Sequence, residues 1–173
     1  MPASVSIASS ASATPFETWI NSYTGIPAAD REPQDDPDHD GVINLAEFAF
    51  DGVPDAPSAK GLFFTETKDN GDPDSLKELT FTCAVRRSTS VNFTANGDGA
   101  QTATIDGLTY TIEGSATLTG TWNSPVSYVG KSDAPPVGSG LPNLAATAWE
   151  YRTFSAFNGL PGKGFLRAKV TGK

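Results

Sequence analysis

The chain has 173 residues, of which 38% are apolar, and a formal net charge of −8 at pH 7. This acidic balance argues against nucleic acid and against an anionic membrane surface as partners, because both attract basic proteins. A single cysteine excludes an internal disulfide, and no stretch has the apolar length of a membrane span. The start of the chain lacks the basic region and the continuous apolar core of a signal peptide. We therefore expect either a cytoplasmic protein or an exported one whose signal has been removed.

Residues 1–13 form a leader rich in Ser and Ala, in which Val5 and Ile7 mark a weak alternation. The composition alone is typical of a flexible tail. The alternation also fits a short strand that adds to the edge of a sheet, either its own or that of a neighbouring copy. Both interpretations stay open at the level of the sequence.

The segment 14–57 predicts two short helices on either side of an acidic loop. Thr14, Pro15 and Glu17 match a capping box with Pro at the first helical position. Apolar residues three and four positions apart predict one buried face for this helix, which should end near residues 25–27. A second short helix should begin after the acidic loop and turn its apolar residues inward.

Residues 58–173 predict a β-sandwich domain, although a barrel has the same pattern. Thr, Val, Phe and Tyr alternate with polar residues, and turn residues interrupt them at short intervals. The predicted strands lie near 61–67, 77–86, 90–95, 101–105, 108–114, 126–130, 148–155 and 164–171. A hairpin turn is expected at 96–99 and a long loop at 131–147. The predicted fold class is mainly β, a jelly-roll-like β-sandwich with a small N-terminal helical calcium-binding segment.

The acidic stretch 36–47 has the spacing of an EF-hand-type calcium loop. Asp stands at loop positions 1, 3 and 5, Gly at position 6, Asn at position 9 and Glu at position 12. Calcium takes about six to eight oxygen ligands, and alternate residues of a tight loop can supply them. Magnesium fits less well because it prefers a smaller octahedral shell with several waters. The predicted cofactor is therefore Ca²⁺, held by Asp36, Asp38, Asp40, the backbone carbonyl of Val42, Asn44 and Glu47.

Other residue groups have two interpretations each. The second acidic stretch, 69–74, is typical of a solvated turn, and the alternative is a weak second calcium site. Trp149 and Tyr151 are candidates for a sugar-stacking platform, and core packing is the alternative. The single histidine, His39, and the single cysteine, Cys83, provide too little material for a nucleophilic active site.

The calcium loop is similar to the half-hand loops of dockerins and thrombospondin type 3 repeats. The wider chain resembles the C-terminal module of large secreted proteins of Verrucomicrobia-type bacteria. This resemblance implies export, calcium and a β-sandwich. The matching pieces are Trp19, 36–50, 79–87, 110–115, Trp122, 151–154 and 164–170.

Together these features predict a secreted calcium-binding structural module, and not an enzyme, that acts in extracellular or cell-surface assembly or attachment. Copies of the same chain are one candidate partner, joined through the leader as an added strand. A polysaccharide is the other candidate, in which case the chain would be a calcium-stabilised carbohydrate-binding module.

Overall fold

The structure is a computed structural model that describes residues 12–69, 77–156 and 164–172. Within these ranges, two α-helices and one 3₁₀ helix (Ala28–Asp30) precede eight strands, and every strand pair is antiparallel. The α-helices are α1 (Pro15–Ile20) and α2 (Asn44–Phe50). The strands are β1 (Phe63–Asp69), β2 (Lys77–Arg86), β3 (Thr94–Ala95), β4 (Gln101–Ile105), β5 (Leu108–Ser115), β6 (Val126–Ser132), β7 (Trp149–Ala156) and β8 (Phe165–Gly172).

The strands form two four-stranded sheets, with the orders β1-β2-β7-β6 and β3-β4-β5-β8. The predicted mainly-β sandwich is therefore confirmed, and each predicted strand overlaps an observed one. Strand β2 shows how the alternating pattern in the sequence corresponds to the two faces of a sheet. Phe81, Cys83 and Val85 alternate into the main core, while Ala84 faces a second cluster with Leu144 on the other side of the sheet. Period-2 alternation is the expected signature of such a strand.

Strand β3 is shorter than predicted. The sequence predicts a strand from residue 90, but the ladder begins at Thr94. The N–H of Val91 donates to the hydroxyl of Ser88 (3.0 Å), and its carbonyl accepts from the guanidinium of Arg152 (3.0 Å). These backbone groups are thus bonded to side chains, which explains why β3 begins later.

The turn predicted at 96–99 joins β3 to β4. The side chain of Asn96 accepts hydrogen bonds from the N–H groups of Asp98 and Ala100, both at 3.0 Å. Gly99 has a φ of +83°, and a Cβ there would meet the backbone of Pro125 at 3.2 Å. Only glycine combines this conformation with such close approach.

The capping box of α1 is confirmed, but the helix is shorter than predicted. The N–H of Glu17 donates to the Thr14 hydroxyl (3.1 Å), and the N–H of Thr14 donates to the Glu17 carboxylate (2.6 Å). The helix ends at Ile20 instead of near residue 25. The hydroxyl of Ser22 donates to the carbonyl of Trp19 (2.7 Å), which competes with continuation of the helical ladder.

Helix α2 closes one end of the sandwich. Its residues Phe48, Ala49 and Phe50 belong to the same core cluster as the inward residues of both sheets. The buried hydroxyl of Tyr110, on β5, donates to the carbonyl of Ala49 and accepts from the N–H of Arg86, both at 3.1 Å. One side chain therefore ties the helix to both sheets, and the segments 14–57 and 58–173 share one core.

We expect Tyr110→Phe to lower the free energy of unfolding by about 1–3 kcal/mol, because it leaves a buried carbonyl and a buried N–H without partners. Chemical denaturation measures this loss. Thr109→Val is the matched control, since it removes an exposed hydroxyl bond from the other face of β5. The control should change stability by no more than about 0.5 kcal/mol, and an equal loss in both variants would contradict the role assigned to Tyr110.

Candidate metal centre

The acidic loop 36–47 folds around its own carboxylates. The N–H groups of Asp40 and Gly41 donate to the Asp36 carboxylate at 3.2 and 3.0 Å, and the N–H of Val42 donates to Asp40 Oδ1 at 2.8 Å. Gly41 has a φ of +89°, which meets the sequence-based requirement for a left-handed residue at loop position 6. These bonds turn the loop back on itself, and carboxylate oxygens from Asp36, Asp38 and Asp40 come within 4.8 Å of one another.

Five buried oxygens of the predicted site have no hydrogen-bond partner among the residues that the structure describes. They are Asp38 Oδ2, Asp40 Oδ2, Asn44 Oδ1, Glu47 Oε1 and Glu47 Oε2. A buried polar atom without a partner costs free energy, and the cost is largest for a charged group. All five atoms belong to residues predicted as ligands. The structure brings the carboxylates of the three aspartates within 4.8 Å of one another, and Glu47 lies outside that group.

Asn44 is oriented by the connector 28–35, which precedes the loop. Its side-chain nitrogen donates to the carbonyls of Asp30 (3.0 Å) and Glu32 (2.9 Å), which identifies the remaining side-chain atom as the oxygen. The N–H groups of Asn44 and Leu45 donate to the carbonyls of Asp35 and Pro33. The segment 28–35 therefore secures the start of α2, which sequence reasoning did not predict.

Glu47 lies on α2 and is fully buried. Burial, followed by the charges of Asp38, Asp40 and Asp36, raises the pKa of this carboxyl from 4.5 to about 8. Burial also raises the pKa of Asp38. The negative charges of the three aspartates thus add to the effect of burial on the pKa of Glu47.

Lys60 is a member of the site that sequence reasoning missed. Its ammonium donates to the backbone carbonyl of Asp40 and lies 3.6 Å from Asp40 Oδ2. It stands twenty positions after Asp40 in a stretch without a motif, so no sequence signal marked it. Half of its side chain is exposed, which leaves this ion pair weakened by solvent.

The role predicted for Trp149 and Tyr151 in sugar stacking needs correction. Tyr151 is 1% exposed, and its hydroxyl donates to the carbonyl of Pro142 (2.8 Å). The indole N–H of Trp149 donates to the carbonyl of Phe48 (2.9 Å), and the guanidinium of Arg86 lies 4.5 Å from its ring centre. Tyr151 is therefore buried, whereas Trp149 keeps intermediate exposure, so the two rings do not form one exposed platform.

The remaining candidates lie in different places. Cys83 is fully buried, as the sequence predicted for a small hydrophobic residue, and burial raises the pKa of its thiol. His39 is exposed at loop position 4 with a φ of 60°. Positions 70–74 of the second acidic stretch, like positions 1–11 of the leader, lie outside the described residues.

Searches of family models, curated proteins and solved structures found no match to this chain. Within the described ranges, none of the helices is long and apolar enough to cross a membrane. The donor set of the acidic loop consists of hard oxygen atoms, which suit a hard divalent cation better than a soft transition metal.

We expect the metal-free protein to lose stability as the pH rises from about 4.5 to about 8. Folded Glu47 holds its proton up to about pH 8, whereas the unfolded chain releases it near 4.5, so the folded state binds more protons within this window. One such group contributes a slope of up to about 1.4 kcal/mol per pH unit. Chemical denaturation in the presence of a chelator measures this slope. Glu47→Gln should flatten it, and an unchanged slope in that variant would contradict the assignment.

Proposed function

We propose that the chain is a calcium-binding structural module, in which one ion joins the N-terminal helical segment to the β-sandwich. The observation that carries the proposal is the group of five buried oxygens without hydrogen-bond partners, all on predicted ligand residues. The proposed ligands are Asp36, Asp38, Asp40, the carbonyl of Val42, Asn44 and Glu47. Three of these ligands, the aspartates, offer oxygens within 4.8 Å of one another, and the unsatisfied oxygens of Asn44 and Glu47 are buried, which a solvated acidic loop would not require.

Calcium fits this donor set better than magnesium. Three aspartates, one backbone carbonyl and a glutamate that offers two oxygens supply about six ligands, and Asn44 adds one directly or through water. Calcium accepts such a large and irregular shell, whereas magnesium demands a near-ideal octahedron and keeps several waters. The four carboxylates also carry more negative charge than one dication neutralises, which attracts a cation to the site.

The ion would stabilise the fold through α2. Glu47 is buried on the same short helix that contributes Phe48 and Phe50 to the core. A cation shared by Glu47 and the loop aspartates would fix the position of α2 over the end of the sandwich. It would also remove the repulsion that the aspartates exert on the Glu47 carboxylate.

A structural role outside the cell agrees with the chemistry of the described residues. Cys83 is buried with a raised thiol pKa, and His39 stands exposed on the loop, so neither is placed as a nucleophile with a base. Extracellular calcium modules commonly bind with Kd values of about 10⁻⁴–10⁻³ M. Such a site is filled outside a cell and largely empty in the cytosol. We therefore infer a secreted module used in assembly or attachment.

The decisive experiment is thermal and chemical unfolding with calcium, with magnesium and with chelator. At about 10 mM calcium, a Kd of about 10⁻⁴–10⁻³ M stabilises the folded state by about 1.4–2.7 kcal/mol. The unfolding midpoint should therefore rise by several degrees in calcium and by much less in magnesium. No shift with any calcium concentration would refute the proposal.

Asp38→Ala should abolish the calcium-dependent shift, because it removes a ligand from the centre of the loop. Asp98→Ala is the matched control: it makes the same change of charge at an exposed turn far along the chain. The control should keep the full shift. A shift lost in both variants would indicate a general effect of charge and not a site.

A further inference from the structure

One side of the sandwich is incompletely covered. Within residues 12–69, 77–156 and 164–172, strand β8 pairs only with β5, and strand β1 pairs only with β2. Both are therefore edge strands, with eight residues in β8 and seven in β1. An edge strand presents unpaired N–H and C=O groups that can accept a further strand.

The inward residues of β8 remain partly exposed. Leu166, Ala168 and Val170 pack against the main core but keep intermediate accessibility. Their opposite partners on the central strand β5, Tyr110 and Ile112, are 0% exposed. An additional strand beside β8 would cover this row in the way that β8 covers β5.

The inward row of β1 is also open. Phe63, Thr65 and Thr67 lie opposite inward residues of β2, yet all three are exposed, and the side chain of Phe63 is 40% accessible. Residues of β2 and β8 approach each other across the core, so these two open rows lie on the same side of the sandwich. Helix α2 contacts both β2 and β8, and its Phe50 lies against Phe63, so α2 covers part of this side and leaves the rest of the two rows open.

The other edges are less suited to accept a strand. Strand β3 has two residues, and β6 carries a bulge between Tyr128 and Gly130 that interrupts regular pairing. Strand β1 carries the charged pair Glu66 and Lys68. On β8 the charges of Arg167 and Lys169 lie on the outward face, where both bind Glu113. The inward face of β8 is apolar.

The leader has the sequence of a strand that would fit there. Its odd positions are Ala3, Val5, Ile7, Ser9 and Ala11, and its even positions are Ser4, Ser6, Ala8 and Ser10. One face is thus mainly apolar and the other mainly hydroxylated, which is the pattern of an edge strand with one side on a core. The leader contains no charged side chain that would oppose pairing.

The reach of the chain favours a leader from another copy. Thr14 lines a groove together with Leu45 and Leu108, and a side chain at Gly172 would come within 3.2 Å of the last two. The leader therefore enters α1 near the end of β8. To pair antiparallel with its own β8, residue 11 would have to lie at the other end of that strand, about 23 Å away. The three residues that link position 11 to Thr14 span only about 11 Å.

Only parallel pairing is open to the chain's own leader, and every observed pair in the structure is antiparallel. Parallel pairs are slightly less stable per residue than antiparallel pairs. A leader from a second molecule is not held by the short link to α1 of the first, so it can pair antiparallel. We propose that residues 3–11 of one copy add antiparallel to the free edge of β8 in another copy. This inference deepens the assembly role proposed above and rests on it, but it does not require the ion.

The first test is light scattering of the full chain in saturating calcium over a wide range of concentrations. The full chain should show an apparent mass of two chains or more, against 18.1 kDa for one. The double variant Val5→Asn with Ile7→Asn should weaken association by at least about tenfold, because it removes two buried aliphatic side chains. The matched double variant Ser4→Asn with Ser6→Asn should still associate.

A second measurement locates the contact, in a background in which Cys83 is replaced by alanine. Ser6→Cys in one copy should form an interchain disulfide with Lys169→Cys or Thr171→Cys in another. Opposite residues of antiparallel strands have Cα atoms about 4.5–5.5 Å apart, which lies within the range of about 4.4–6.8 Å that a disulfide spans. The corresponding β1 variants, Glu66→Cys and Lys68→Cys, should not form this bond.

The outcomes separate this proposal from the calcium proposal. A full chain that stays monomeric, assembly that survives the Val5 and Ile7 substitutions, or assembly lost equally in both double variants would overturn strand addition as described. Cross-linking to β1 would overturn the assigned edge. Each of these results can occur with an intact calcium-dependent rise in the unfolding midpoint, so failure of strand addition leaves the metal site standing.

Discussion

The fold depends on helix α2, because this short helix has to satisfy two opposite requirements. One side places Phe48, Ala49 and Phe50 in the main core, where burial favours apolar contact. The other places the carboxylate of Glu47 in a buried position, where it feels the charges of three aspartates and has no hydrogen-bond donor among the described residues. Burial of the first group forces burial of the second. The acidic loop is therefore part of the folding problem as well as a candidate binding site.

Much of the architecture could be predicted from the sequence because its signals are local. The alternation in β2, the capping box at Thr14 and the turn at Asn96 each involve residues close together in the chain, and each was confirmed. The three loop aspartates were also correctly predicted to lie together, since they are two positions apart. Local spacing determines these features before any long-range packing occurs.

The features that were missed depend on distant contacts. The orientation of Asn44 depends on carbonyls at Asp30 and Glu32, and the position of the Trp149 ring depends on the carbonyl of Phe48, about a hundred positions earlier. Lys60 reaches the loop from the start of the β-sandwich. No local pattern distinguishes an aromatic ring that packs in the core from one that faces a ligand, which is why the sequence did not reveal that Tyr151 is buried.

The contacts between the connector 28–35 and Asn44 affect how the N-terminal segment can separate from the β-sandwich. The described segment from Thr14 to Asp35 contacts the sandwich largely through α2, by the ring contacts of Phe16 and Trp19 with Phe48 and by the carbonyls bonded to Asn44 and Leu45. Such a segment can detach as one cooperative unit while the sheets stay closed. If calcium holds α2, the local ion concentration sets how often this unit detaches. The segment from Thr14 to Asp35 would then stay attached at high calcium concentration. It would be the first part of the protein that proteases cleave when calcium is withdrawn.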